Sequence, residues 1–239
     1  MPLRFESAAT EDLFWLFFAL FLAATAAYLV LAFLKRKERN FLKALPMLFF
    51  GSALVCLAPQ FPLIYCSCYL AAVGEARSVK DDPYLFTLGA AVLVCSQLLL
   101  LTQMLELTAD VPLYAYFTIA ALELTALYAY FIIATLVLHA NVGGFFLRRQ
   151  QNPVYAVARM VYSYFPLLNL AFAAALLADG PLLGEVFLFV GCVYFAAGDV
   201  IDRGLEMIKH RRRDFIATVP CIIGQVCSYL GLILALMAA

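Results

Sequence analysis

The sequence predicts an all-α fold, a polytopic membrane bundle of about eight transmembrane helices, and three observations carry that prediction. The chain is 66% hydrophobic and 13% charged, where an ordinary soluble domain has about a quarter of its residues charged. Its apolar residues come in eight runs parted by charges or by Pro and Gly, and a hydrocarbon core about 30 Å thick takes about 20 apolar residues per helix. Its cations collect in alternate connections between those runs. The 239 residues are filled by such spans, so a single transmembrane domain, residues 1–239, is expected, with no internal repeat or low-complexity segment.

The runs are 13–34, 42–58, 61–75, 84–108, 112–139, 153–178, 182–207 and 214–238. The first ends on "KRKER", which a cleaved leader would not do, so it reads as a retained span. The second and third are short and divided by "APQFP", whose Pro59 and Pro62 favour a turn over one kinked helix. The fifth opens after "ADVP", the sixth on Pro153 and the seventh after "ADGP".

Cation placement tests this count independently. The first connection holds Lys35, Arg36, Lys37, Arg39 and Lys43; the third Arg77 and Lys80; the fifth Arg148 and Arg149; the seventh Lys209 and Arg211 to Arg213. The even connections hold none, and the amino-terminal segment holds only Arg4. Eight spans with both termini on the non-cytoplasmic side satisfy this pattern, and merging the second and third would scramble it.

Composition and spacing also exclude several classes. The seven cysteines all lie in apolar runs with no CxxC pair and read as small buried hydrophobes. His139 and His210 stand alone and no HExxH occurs, so no metal and no cofactor is expected. Arg148 and Arg149 are too few for a nucleic-acid surface.

Ionisable residues within a span cost about 2.5–3.5 kcal/mol each on insertion scales, and so ask for a partner or a task. Glu106, Arg159 and Glu185 lie near enough to run ends to reach the interface. Glu123 is nearer mid-span and needs a hydrogen-bond partner. Asp199, Asp202, Arg203 and Glu206 stand at i, i+3, i+4 and i+7 and form one stripe on a helix. The lower part, from Asp202, reads as a solvated salt-bridge ladder. Asp199 sits a turn deeper, after Ala196, Ala197 and Gly198, small residues that admit a second helix or a ligand. Glu75 in "YLAAVGEARS" repeats the arrangement, an acid after a glycine at the same predicted side of the membrane.

With these residues in place, the chain resembles the YhhN-like lysoplasmalogenase family of eight-helix membrane proteins. The second run opens "KALPMLFFGSALV", similar to the family's "KPLPMLLL". The third ends "VGE" where the family has Gly-Asp, followed by "FTLGAAVLVCSQ". The sixth opens "NPVYAVARMVYS", the seventh carries "GCVYFAAGDVID" and the eighth "CIIGQVCSYLG", each similar to a family segment and in the family's order. Four positions differ: Glu75 replaces Asp, Gln97 replaces His, Ala44 replaces Pro and Leu93 replaces an aromatic residue.

The resemblance implies an enzyme that cleaves the vinyl ether of lysoplasmalogen and releases a fatty aldehyde. It implies Asp199 and Glu75 as the catalytic acids, with Lys43 and Gln225 in the site. Vinyl ether hydrolysis needs a proton on the terminal alkene carbon and a water on the resulting oxocarbenium ion. Two carboxyls in one low-dielectric pocket, one protonated and one ionised, can supply both. Tyr194, Gln97 and Gln225 could orient water or the glycerol oxygens, while Lys43, Arg203 and the basic connections could hold a lipid phosphate. The expected partners are a lysophospholipid substrate and membrane lipid. The residues alone leave open a non-catalytic lipid-binding or small-solute transport protein, although transporters usually set their polar groups near mid-membrane between repeated halves.

Overall fold

The computed structural model describes residues 7–34, 39–77, 83–107, 153–179, 183–207 and 212–238. Among them the chain is wholly helical, with α1 at Ala8–Leu34, α2 at Arg39–Leu57, α3 at Pro62–Arg77, α4 at Pro83–Glu106, α5 at Pro153–Asp179, α6 at Leu183–Met207 and α7 at Arg213–Leu236. These seven match seven of the eight expected spans to within a few residues. The remaining one, 112–139 with Glu123, lies outside the described residues, as do Arg148 and Arg149. Four helices, α1, α4, α6 and α7, are long and apolar enough to cross a bilayer.

Helix α1 begins five residues before its apolar run. Ser7 caps it: the Thr10 backbone N–H donates to Ser7 Oγ at 3.2 Å, and the Ser7 N–H donates to Thr10 Oγ1 at 2.8 Å. This reciprocal cap satisfies two amide donors that the first turn would leave open, so helix formation extends through the polar "AATED" ahead of the hydrophobic stretch.

The division between α2 and α3 is a turn. Phe61 N–H donates to Ala58 O at 3.2 Å and Ile64 N–H to Phe61 O at 3.1 Å, while Pro62 opens α3 where no N–H is required.

The chain divides into two compact units, Met1–Leu99 with Val200–Val219, and Leu100–Asp199 with Pro220–Ala239. In the first, α1 packs along α2 and α2 along α3. Phe21 meets Phe50 with ring centroids 5.2 Å apart. Gly51 lies against Cys68 and Tyr69, and Ser52 Oγ is 3.2 Å from the Tyr69 hydroxyl. Helices α3 and α4 are tied by a reciprocal pair. Ser67 Oγ donates to Ser96 O at 2.7 Å and Ser96 Oγ to Ser67 O at 2.8 Å, all buried, so neither hydroxyl is left open in an apolar setting.

In the second unit, α6 and α7 run antiparallel at very short range. Gly184 lies against Ala235, Leu188 against Gly231, Gly191 against Ser228 and Phe195 against Gly224. The steps of four, three and four residues on both helices trace one seam, the spacing that keeps two helices in register. Every level has a glycine on one side, so the backbones touch directly. Cys192 Sγ lies 3.6 Å from Ser228 Oγ beside this seam.

The cysteines do not all behave as small buried hydrophobes. Cys68 and Cys192 are buried, but Cys66 and Cys95 are exposed. In a chain this apolar the outer helix faces are apolar too, so a cysteine's neighbours in sequence do not tell inside from outside.

Candidate functional site

Antiparallel register brings polar residues to one end of the first unit. Gly51 is level with Cys68 on the α2–α3 hairpin, so Lys43, about two turns back along α2, comes level with Glu75, two turns on along α3. The Lys43 ammonium and the Glu75 carboxylate form an ion pair. On the other side of α2, Phe21 is level with Phe50, so Tyr28 and Lys43, each seven residues on towards the α1–α2 connection, are level as well. Tyr28 is 3% exposed, and both Tyr28 and Asp202 lie within electrostatic reach of the Lys43 ammonium.

Glu75 is held by its neighbour. A side chain on Gly74 would run into Leu93 and come within 3.0 Å of the Gly89 carbonyl, so the glycine lets α4 lie directly against α3 one residue before the acid. The small residue before Glu75 thus accommodates a helix. The Glu75 side chain retains 17% of its surface and Lys43 36%. Both side chains are thus partly enclosed, Glu75 more than Lys43.

The other expected site residues fall as follows. Gln97 on α4 is 2% exposed and belongs to the first unit, one residue beyond the Ser67–Ser96 tie. Gln225 is buried on α7 in the second unit, one turn before Ser228. Asp199 is partly exposed on α6 and also belongs to the second unit. Tyr194 is 45% exposed, so its side chain meets the surroundings of the protein over much of its area. Arg203 is a residue of α6, and its side chain lies outside the described residues.

Thus Lys43 and Glu75 come together, and two residues that had no expected part join them. Asp202, read from sequence as the start of a solvated ladder, carries its charge to Lys43. Tyr28 gave no sequence signal of its own, since one tyrosine in an apolar run looks like core; only the register of α1 on α2 shows its place.

Chemically, this end of the first unit offers an ammonium, a carboxylate, a second acid and a buried phenol, with amide and hydroxyl groups deeper along α3 and α4. Such a set can bind a zwitterionic or anionic head group and hold a polar reactant at the edge of an apolar bundle. Comparisons with known protein families, with curated proteins and with solved structures find no match to this chain.

Proposed function

We propose that the protein is a membrane hydrolase that cleaves the vinyl ether bond of lysoplasmalogen-like lysophospholipids. The observation that carries this reading is the Lys43–Glu75 ion pair at one end of an apolar bundle, with Tyr28 and Asp202 beside it. A single-chain lipid has matching parts: a phosphate for Lys43, an apolar chain for the helices, and an ether bond between the two.

Asp199 and Glu75 are the two carboxyl groups of the reaction, one acting as the acid and the other as the base. The acid gives its proton to the terminal alkene carbon, and the electron pair of the double bond forms the new C–H bond. The positive charge that develops is shared with the ether oxygen. The base takes a proton from water as the water oxygen attacks the adjacent carbon. The resulting hemiacetal gives its hydroxyl proton to the spent acid while the base passes its proton to the glycerol oxygen as that C–O bond breaks, giving the aldehyde and the glycerophospho-alcohol; one water is consumed and both carboxyl groups return to their starting states. Two carboxyl groups in different protonation states are what this chemistry requires. Gln97 and Gln225, both buried, are amides suited to orient water or glycerol oxygens.

One observation favours the non-catalytic alternative, in which the protein binds or carries such a lipid: Lys43 and Glu75 already neutralise each other, as a purely structural pair would. Purified protein in detergent, given 1-alkenyl, 1-alkyl and 1-acyl lysophospholipids with one head group, separates the two. A hydrolase releases aldehyde from the alkenyl lipid and leaves the alkyl ether intact. A binding protein retains all three and cleaves none.

A further inference from the structure

The Glu75 carboxylate that hydrolysis would use is occupied. Its Oε2 is buried and, among the described residues, only the Lys43 ammonium meets it. An ammonium against a carboxylate favours the ionised form, so proton traffic at Glu75, whether as acid or as base, is opposed while Lys43 stays in place. Lysine, however, carries a compact charge on a flexible four-carbon stem, and Lys43 is less enclosed than Glu75. Its ammonium can leave one anion for another that lies within its swing.

Asp202 is such an anion. Both it and Tyr28 lie within electrostatic reach of the Lys43 ammonium, and all four residues belong to the first unit. Helix register places Asp202 at this depth independently. Phe195 of α6 lies against Gly224 of α7, so Asp202, about two turns on, is level with Ala217, about two turns back. Phe33 at the end of α1 meets Phe215 at the start of α7, and both helices enter the bundle from that contact. Ala217 therefore comes within about one turn of Tyr28, which is itself level with Lys43. The Tyr28 side chain is buried, and its hydroxyl is a group that can accept from an ammonium and donate to a carboxylate.

We infer that Asp202 is a second seat for the Lys43 ammonium, and that the side chain turns from Glu75 to Asp202 when Glu75 takes part in turnover. Asp202 is thus a positioning residue, acting on the reaction through Lys43. Its part in turnover rests on the hydrolase reading; the second seat does not.

The test compares melting midpoints of the full chain in detergent. D202N should lower the midpoint of E75Q by at least about 2 °C more than it lowers that of the wild type, because Lys43 depends on Asp202 once Glu75 is neutral. Should E75Q not fold, E75D, which draws the carboxylate back by one methylene, serves as the background. Adding K43M to both members of the comparison should abolish the difference. Equal losses in the two backgrounds, or a difference that persists without Lys43, would overturn the second seat. In an aldehyde-release assay D202N should lower kcat with KM unchanged, by less than the roughly hundredfold expected of losing Glu75 itself, and D202E should recover most of the loss. A D202N variant with wild-type kcat would overturn the role in turnover. A wild type that releases no aldehyde would end the hydrolase reading and that role with it, while the melting comparison still decides the second seat.

Discussion

Replacing Gly191 with alanine should force α6 and α7 apart. A Cβ at Gly191 would lie 2.8 Å from the carbonyl carbon of Cys227 and closer still to Ser228, where ordinary contact begins at 3.4 Å. That pair alone asks for about 0.6 Å of separation, and two of the three nearest atoms are backbone, which cannot swing aside. Separation at Gly191 also loosens the levels at Gly184, Gly224 and Gly231, because one seam carries all of them. Inserting a methyl group into such packing costs about 1–3 kcal/mol. In a chain of this length each kcal/mol moves the melting midpoint by about 2–4 °C, so a fall of roughly 2–12 °C is expected. Gly204 supplies the control on the same helix: a Cβ there meets nothing within 4 Å, and Gly204→Ala should gain up to about 1 kcal/mol from helix propensity. Both variants are heated in detergent and the folded, monodisperse fraction is measured. Equal midpoints for the two would refute the claim that the glycines set the distance between the helices.

Three further outcomes follow from the first unit and its cap. Lys43→Met or Glu75→Gln alone should destabilise the protein by at least about 1 kcal/mol, short of the 3–5 kcal/mol of a fully buried pair because Lys43 is partly exposed; the double variant should melt closer to wild type than either single. Ser67→Ala should cost about 1 kcal/mol by removing the bond to the Ser96 carbonyl, and because Ser96 Oγ still donates to the carbonyl of residue 67, adding Ser96→Ala should cost about as much again; a double variant no less stable than either single would contradict two separate side-chain-to-backbone bonds. Ser7→Ala should speed amide hydrogen exchange over residues 8–12 and leave the rest of α1 unchanged; an unaltered first turn would mean that the cap does not set the start of α1.

Much of this architecture was legible from hydrophobicity because a bilayer imposes length and composition on a helix. Pro59 and Pro62 marked the α2–α3 turn for the same reason, as residues that cannot continue a ladder of amide bonds. The start of α1 was missed because a Ser7–Thr10 cap is polar chemistry outside the apolar run. The α6–α7 seam was present in the sequence as Gly184 and Gly191, and Gly224 and Gly231, each pair seven residues apart, but seven-residue spacing names a helix face without naming its partner. Glu75 was legible as a costly acid, and Lys43 as one cation of the first basic connection. Their pairing required the register of a hairpin. Tyr28 and Asp202 needed the same information, since neither differs from a core aromatic or an interfacial charge until the helices are laid side by side.

The most direct measurement is aldehyde release from a 1-alkenyl lysophospholipid by folded wild-type protein, Asp199→Asn and Glu75→Gln at matched concentration. Wild type should release stoichiometric aldehyde and glycerophospho-alcohol. Each variant should lose at least about a hundredfold in rate, as removal of a general acid or base does, while still retaining the lipid. No aldehyde from wild type, or undiminished release by both variants, would contradict the assignment of these two carboxyl groups as the catalytic pair.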